Sequence, residues 1–262
     1  MVASVDASLA TSLDALGGWA LVVALARVAP LVTVALALGG LPLPRIAQGA
    51  LALVIALVVA GGLAPAAAVI AAESWGERAL VLGREVLVGA TLGAVAGVPL
   101  AAAAAAGAWA AAAGDSDDAG VGAWSWAFPL TAATVFFAVG GHLAVVAALG
   151  QSYRALPAGT VGAEANGDML VVIAGSGARM IAAGVALAAP LMVAAMLASL
   201  LIGVIERAAG LPVALVPEVA VRRVLVVLVA AAAVFAIAMA IAGETRALPA
   251  AVSAAVERIA GR

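Results

Sequence analysis

The chain has 262 residues, of which 67% are hydrophobic and only 10% are charged, and its formal net charge is −2. Because a soluble chain carries about 25% charged residues, this composition indicates an integral membrane protein. The near-neutral charge excludes a strongly basic nucleic-acid-binding surface, and the absence of Cys excludes disulfides and thiolate metal sites. Residues 1–18 carry no basic side chain, so a secretory signal peptide is not expected.

Six apolar segments follow one another along the chain. They run approximately over residues 17–38, 46–71, 79–113, 127–149, 169–205 and 221–243. The third and fifth exceed the ~20 residues that a span needs. Each is therefore predicted to be a tilted helix, a helix that leaves the bilayer, or a hairpin broken near Pro99 or Pro190. We predict an all-α integral membrane protein whose apolar segments form bent helices and helical hairpins, in one membrane-embedded domain over residues 1–262.

The first apolar segment contains Arg27 and Pro30. A charge at the bilayer centre costs about 2.5–3.5 kcal/mol on insertion scales. Arg27 should therefore face a polar conduit, pair with another helix, or extend toward an interface. Both residues are gate or conduit candidates. Orientation stays open, because the arginines only weakly favour cytoplasmic termini and the acidic N-terminus favours the opposite.

The third apolar segment carries an acid and three glycines at intervals of four residues: Glu85, Gly89, Gly93 and Gly97. A helix returns to nearly the same face every four residues, so these positions share one stripe. Glycines at this spacing let two helix backbones approach closely in a membrane. The stripe predicts a buried helix–helix contact needed for assembly. Glu85 on it is either a relay acid or the partner of an Arg from this or another chain.

The remaining candidates lie further along the chain. His142, the only histidine, is a candidate proton relay or a polar packing residue. The glycine- and proline-rich loop over residues 151–168, with Tyr153, Arg154 and Pro157, is predicted to close or line a conduit. Arg207 ends the fifth segment. Metal, cofactor and catalytic sites are not predicted, because no second His, nucleophile elbow, zincin or P-loop pattern occurs.

Several of these motifs, in this order, resemble the FliR/SctT family. Its members are inner-membrane components of the flagellar and injectisome type III export apparatus. The first motif, Arg27-Val28-Ala29-Pro30, is followed by Pro42-Leu43-Pro44-Arg45-Ile46, as in the family's opening. The run from Glu85 to Gly93 resembles the family motif E-x-x-x-G-x-x-x-G.

The most specific resemblance lies in the second half of the chain. Phe136 to His142 and then Ser152 to Gly159 are similar to F-x-x-x-G-G-H and S-[FY]-x-x-L-P-x-G. Ala188-Ala189-Pro190 and Arg207 match the A-x-P and the terminal Arg of the next helix. Where the family continues with Pro-Gln-x-Asn, this chain reads Gly210-Leu211-Pro212-Val213.

The resemblance implies a non-enzymatic, single-copy subunit of an export gate that passes unfolded proteins. The implied partners are an SctR/FliP-like pentamer, an SctS/FliQ-like tetramer, an SctU/FlhB-like switch protein and an SctV/FlhA-like protein. The implied location is the bacterial inner membrane, with part of the assembled complex above the bilayer on the periplasmic side. Flagellar and injectisome systems are both compatible with the motifs.

A small-molecule secondary transporter is the alternative, because broken helices and a buried acid also suit one. The chain is also expected to be unstable alone. One copy offers few partners of opposite sign for Arg27, Glu85 and His142 within its apolar segments, so neighbouring subunits are expected to supply them.

Overall fold

The computed structural model describes residues 18–41, 43–60, 74–113, 121–157, 165–209 and 218–261. Within these ranges the chain forms eight α-helices and no β-strand, so the predicted all-α class is confirmed. The helices are α1 (Gly18–Leu38), α2 (Arg45–Ala60), α3 (Trp75–Ala96), α4 (Val98–Ala113), α5 (Val121–Ala138), α6 (Gly141–Ala155), α7 (Ala165–Ala209) and α8 (Glu218–Ile259).

The third apolar segment contains two helices that meet at Gly97. Helical hydrogen bonds persist across the junction, from Gly97 N–H to the Gly93 carbonyl at 2.9 Å and from Ala101 N–H to the Gly97 carbonyl at 2.8 Å. Pro99 has no N–H to donate, which explains why the regular pattern is interrupted at this point. The segment is therefore a helix interrupted near Pro99, and the hairpin among the predicted forms is wrong.

The fourth segment contains a sharp break that the sequence analysis did not predict. Helices α5 and α6 meet at an angle of 68°. Gly140 at the corner has a φ of +81°, which favours glycine because it has no Cβ. A Cβ on the next residue, Gly141, would overlap the Phe136 ring and the Thr245 methyl group. The tandem glycines were the available signal, and they fix a bend within one apolar run.

The fifth segment is one continuous helix and not a hairpin. Helix α7 has 45 residues and passes through Pro190, and at 1.5 Å per residue it is about 68 Å long. Among the described residues, α1, α3 and Ala165–Leu201 of α7 are each long and apolar enough to cross a membrane. The bent pair of α5 and α6 gives a fourth candidate span if it is counted as one.

Two hydrophobic cores hold the helices together. The first core lies between α1, α3, α6 and the C-terminal end of α8, and it includes Val28, Leu92, Leu149 and Val256. The second core lies between α4, α5, α7 and α8, and it includes Ala103, Ala132, Phe136, Ala188 and Ile241. Helices α7 and α8 run antiparallel, because Asp168 pairs with Arg258 and Arg179 pairs with Glu244.

Candidate functional site

The first core surrounds a buried arginine. Arg27, on the inner face of α1, and Glu85, on α3, are both 0% exposed. The Arg27 Nε donates a hydrogen bond to Glu85 Oε2 at 2.7 Å. This length is typical of a charge-assisted bond between guanidinium and carboxylate. The two charges therefore neutralise each other within one chain.

The end of α6 binds the other side of the same guanidinium. Arg27 Nη1 donates to Ser152 Oγ at 3.2 Å, and Nη2 donates to the Leu156 carbonyl at 3.0 Å. The Tyr153 ring lies under the guanidinium, with its centroid 4.0 Å from the Arg27 Cζ. The planar fork of arginine allows these contacts together, which a lysine ammonium could not reproduce. We call Arg27, Glu85, Ser152, Tyr153 and the Leu156 carbonyl the arginine cluster.

The glycine stripe explains why the two charges can meet. A Cβ on Gly89 would overlap the Arg27 carbonyl oxygen, and a Cβ on Gly93 would lie 2.6 Å from the Leu31 carbonyl oxygen. A Cβ on Gly97 would lie 3.1 Å from the Ala35 Cα.

These contacts advance along both helices together, so α1 and α3 run parallel and nearly touch at the backbone. At this separation, a side chain on each helix reaches the other.

Apolar side chains separate the arginine cluster from solvent. Leu149 of α6, Val88 of α3 and Val252 and Val256 of α8 all belong to the first core. Removing one partner of a buried ion pair costs about 3–5 kcal/mol, whereas an apolar replacement of both is often tolerated. The cluster therefore specifies which helix surfaces pack together, and it contributes less to the net free energy of folding.

The structure brings together only some of the residues predicted as gate or conduit candidates. Arg27 and Tyr153 lie in the cluster, and Pro30 lies beside it, with its Cγ 2.8 Å from a Cβ placed on Gly89. Arg154 and Pro157 are exposed where α6 ends, so they belong to the same chain segment but not to the buried cluster.

The other two candidates are elsewhere. His142 is exposed at the start of α6, with its ring centroid 5.3 Å from that of Phe137, and Arg207 is exposed near the end of α7. Residues 158–164 and the Gly210–Val213 departure lie outside the described residues.

One expectation is wrong. Arg27 and Glu85 were expected to need neighbouring subunits as polar partners, but each is the partner of the other in one chain. The positions are 58 residues apart in sequence, so no helical spacing relates them. Ser152 was visible within a motif, whereas the Leu156 carbonyl is a backbone group that no side-chain pattern indicates.

A comparison with protein families decides the identity of the chain. The family model described as bacterial export proteins, family 1, matches residues 19–246. The chain belongs to this family. It is the FliR/SctT family that the motifs indicated, and the matched range of this export protein contains the whole arginine cluster. A comparison with curated proteins found no significant match to the chain.

Membership and structure together establish the broad role. The protein is a membrane-embedded component of the protein export apparatus, because its family serves that apparatus and its helices are long and apolar enough to span a membrane. The family is a structural part of this machinery and not a known enzyme family.

Proposed function

We propose that the protein is a single-copy subunit of a type III export gate in the bacterial inner membrane. It would assemble with an SctR/FliP-like pentamer and an SctS/FliQ-like tetramer and line part of the path of unfolded substrate proteins. SctU/FlhB-like and SctV/FlhA-like proteins would bind on the cytosolic side, and part of the complex would stand above the bilayer on the periplasmic side. Residues 1–262 would act as one domain without a catalytic site.

The arginine cluster is the observation that carries this proposal. Arg27 binds the Leu156 carbonyl, and Leu156 is the residue at which α6 ends and the following loop begins. One end of the loop is thereby fixed to α1 and α3 by bonds that solvent does not reach. A loop that closes a protein path needs a rigid base of this kind, because its position must survive the passage of each substrate.

The loop is shorter than the sequence suggested. Helix α6 continues to Ala155 and α7 begins at Ala165, so the connection between the helices is residues 156–164 and not 151–168. We propose that this shorter loop closes or lines the exit path.

Large apolar side chains on the outside of the helices support the proposed assembly. On α2, Ile46 is 87% exposed and Val58 is 72% exposed, while only Ala52 and Ala56 of that helix are buried. On α7, Met196, Leu201 and Val204 are exposed as well. Lipid or neighbouring subunits must cover these faces. The chain is therefore still predicted to be unstable alone, now because of these faces and not because of Arg27 and Glu85.

The secondary-transporter alternative receives no specific support. A transported solute or proton must reach the polar groups of its site, and a relay acid needs a free side to receive the proton. Glu85 is 0% exposed, and its carboxylate is bound to Arg27.

The test is co-purification followed by conductance. A tagged full-length chain, expressed with its neighbouring membrane proteins, should purify in mild detergent as one complex that contains a single copy of it. Deleting three residues after Pro157, beyond the Leu156 carbonyl that Arg27 binds, should leave that complex assembled but make it leak ions. A chain that purifies alone or as a homo-oligomer would count against the gate, and unchanged conductance of an assembled mutant would count against the loop.

A further inference from the structure

A cavity of about 420 Å³ lies between α4, α7 and α8. Its walls are small or apolar side chains, among them Pro99, Ala102, Ala183, Leu187, Pro190 and Ile241. Glu244 of α8 also lines it and is the one charged group among the lining residues that the structure describes. This is a half-open apolar groove with a carboxylate at one end, and it is separate from the arginine cluster.

An ion pair closes the charged end of the groove. Arg179 Nη2 lies 3.5 Å from Glu244 Oε2, and the two side chains are 53% and 39% exposed. Arg179 precedes Ala183 by four residues and Leu187 by eight, so it stands on the stripe of α7 that lines the groove. An exposed ion pair contributes little to stability. Both charges are therefore available to another charged group.

In the sequence of α8, Glu244 stands where a long apolar run ends. The sequence from Val224 to Gly243 is an uninterrupted run without a charged residue, and Glu244 follows it directly. A run of ~20 residues spans the hydrocarbon core, so its end marks the interface. From Arg179 to Pro190 the groove extends 11 residues along α7, about 16 Å at 1.5 Å per residue. That is close to half of the ~30 Å core, the thickness of one leaflet.

We propose that this groove binds one acyl chain of a phospholipid whose headgroup is zwitterionic and carries a primary ammonium. The ammonium would donate hydrogen bonds to Glu244, and Arg179 would donate to the phosphate. An anionic headgroup offers no cation to Glu244. A quaternary ammonium carries its charge but has no N–H to donate. The proposal requires only that the protein is in a membrane, so it stands apart from the export-gate assignment.

The experiment uses the full-length protein with whichever partners co-purify, stripped of lipid in mild detergent. Phosphatidylethanolamine, phosphatidylcholine and phosphatidylglycerol of identical acyl chains are added in turn, and bound lipid is counted by native mass spectrometry. We expect phosphatidylethanolamine to bind about threefold more tightly than either of the others, the effect of one partly exposed ion pair. Glycerophosphoethanolamine, the same headgroup without acyl chains, should not bind.

Two variants locate the binding. Gly243 lines the groove, and nothing lies within 4 Å of a Cβ at this position, so Gly243→Leu adds bulk at the groove wall without a clash. Gly203→Leu is the matched control on α7 with equally free space. Gly243→Leu should reduce phosphatidylethanolamine binding about tenfold, while Gly203→Leu should not. Glu244→Gln should remove the preference over phosphatidylcholine.

Three results would overturn the proposal. The first is equal binding of the three lipids by the unaltered protein, which would mean that the protein does not distinguish their headgroups. The second is unchanged phosphatidylethanolamine binding by Gly243→Leu, which would place the lipid elsewhere. The third is loss of a co-purified partner in Gly243→Leu without loss of lipid, which would show that a neighbouring subunit's helix fills the groove.

Discussion

Helices α1 and α3 approach each other through Gly89, Gly93 and Gly97 and enclose an ion pair, whereas α4 and α7 approach each other through uncharged small side chains. In the second contact, a Cβ on Gly184 would lie 2.9 Å from the Ala105 Cβ and 3.1 Å from the Ala102 carbonyl oxygen. Both contacts use the absence of side-chain bulk. Only the first also contains groups that are costly to leave unpaired.

The two contacts differ in how strongly they specify the alignment of their helices. An alanine-lined contact can shift along the helix axis at modest cost, because neighbouring positions offer nearly the same surface. The α1–α3 contact cannot shift without separating Arg27 from Glu85 inside an apolar core, which costs several kcal/mol. The first contact therefore sets the register of the fold, and the second fills space around it.

Removing one charge should break the first contact most severely. Glu85→Ala leaves the Arg27 guanidinium buried without its carboxylate, and we expect a loss of about 3–5 kcal/mol in the free energy of unfolding. The measurement is thermal unfolding of the purified complex, with the exposed Glu257→Gln as control. The double variant Arg27→Met with Glu85→Leu should recover most of the loss. If it is as unstable as the single variant, the charge is not the cause.

Adding bulk should separate the same two helices. Gly93→Leu places its Cβ against the Leu31 backbone at 2.6 Å, and backbone cannot move aside as a side chain can. We expect a loss of about 3 kcal/mol and no assembled complex at normal expression. Gly83→Leu on the same helix is the matched control, since nothing lies within 4 Å of its Cβ. Normal yield of assembled Gly93→Leu protein would contradict the close contact.

A smaller change tests whether α6 belongs to the arginine cluster. Ser152→Ala removes the acceptor of Arg27 Nη1 and leaves the Glu85 bond intact. The unmet donor should cost about 1–3 kcal/mol. Conductance of the assembled variant is the second readout, because a loosened α6 should loosen the loop after it. Thr134→Ala, which removes an exposed hydroxyl on α5 that donates to the Leu130 carbonyl of its own helix, should change neither quantity.

The smallest effect is expected in the second contact. Gly184→Ala adds one methyl group near Ala102 and Ala105, and the strain is partly offset by the better helix propensity of alanine. We expect a net loss of about 1 kcal/mol. Gly177→Ala, on the same helix with nothing within 4 Å of its Cβ, should be neutral or slightly stabilising. A loss in Gly184→Ala as large as that in Glu85→Ala would remove the distinction between the two contacts.

The sequence predicted the first contact partly and the second hardly at all. The four-residue spacing of Glu85, Gly89 and Gly93 indicates a face, because helical periodicity is a local property. Tertiary packing decides which helix packs against that face. The sequence therefore left Arg27 as one of several possible partners of Glu85. In the alanine-rich α4, nearly every face looks alike, and no period distinguishes the one that meets Gly184.

Two further features show the same limit. The bend between α5 and α6 depends on one left-handed glycine, Gly140, inside a run whose hydropathy is uniform. The connection after α6 was predicted too long because polar residues such as Gln151 and Asp168 were taken as loop, whereas they lie on exposed faces of helix ends. Polarity identifies exposure, and only backbone hydrogen bonding decides whether an exposed residue is helical.

The sequence separations within the arginine cluster impose an order on its formation during synthesis. Glu85 follows Arg27 by 58 residues, and Ser152 and Leu156 follow Arg27 by 125 and 129 residues. At ~5–20 residues per second, the ribosome makes Glu85 about 3–12 s after Arg27, and the end of α6 roughly as long again afterwards. Arg27 is therefore without its carboxylate partner for several seconds after α1 has been made, and α3 can pack against α1 only once Glu85 has been synthesised.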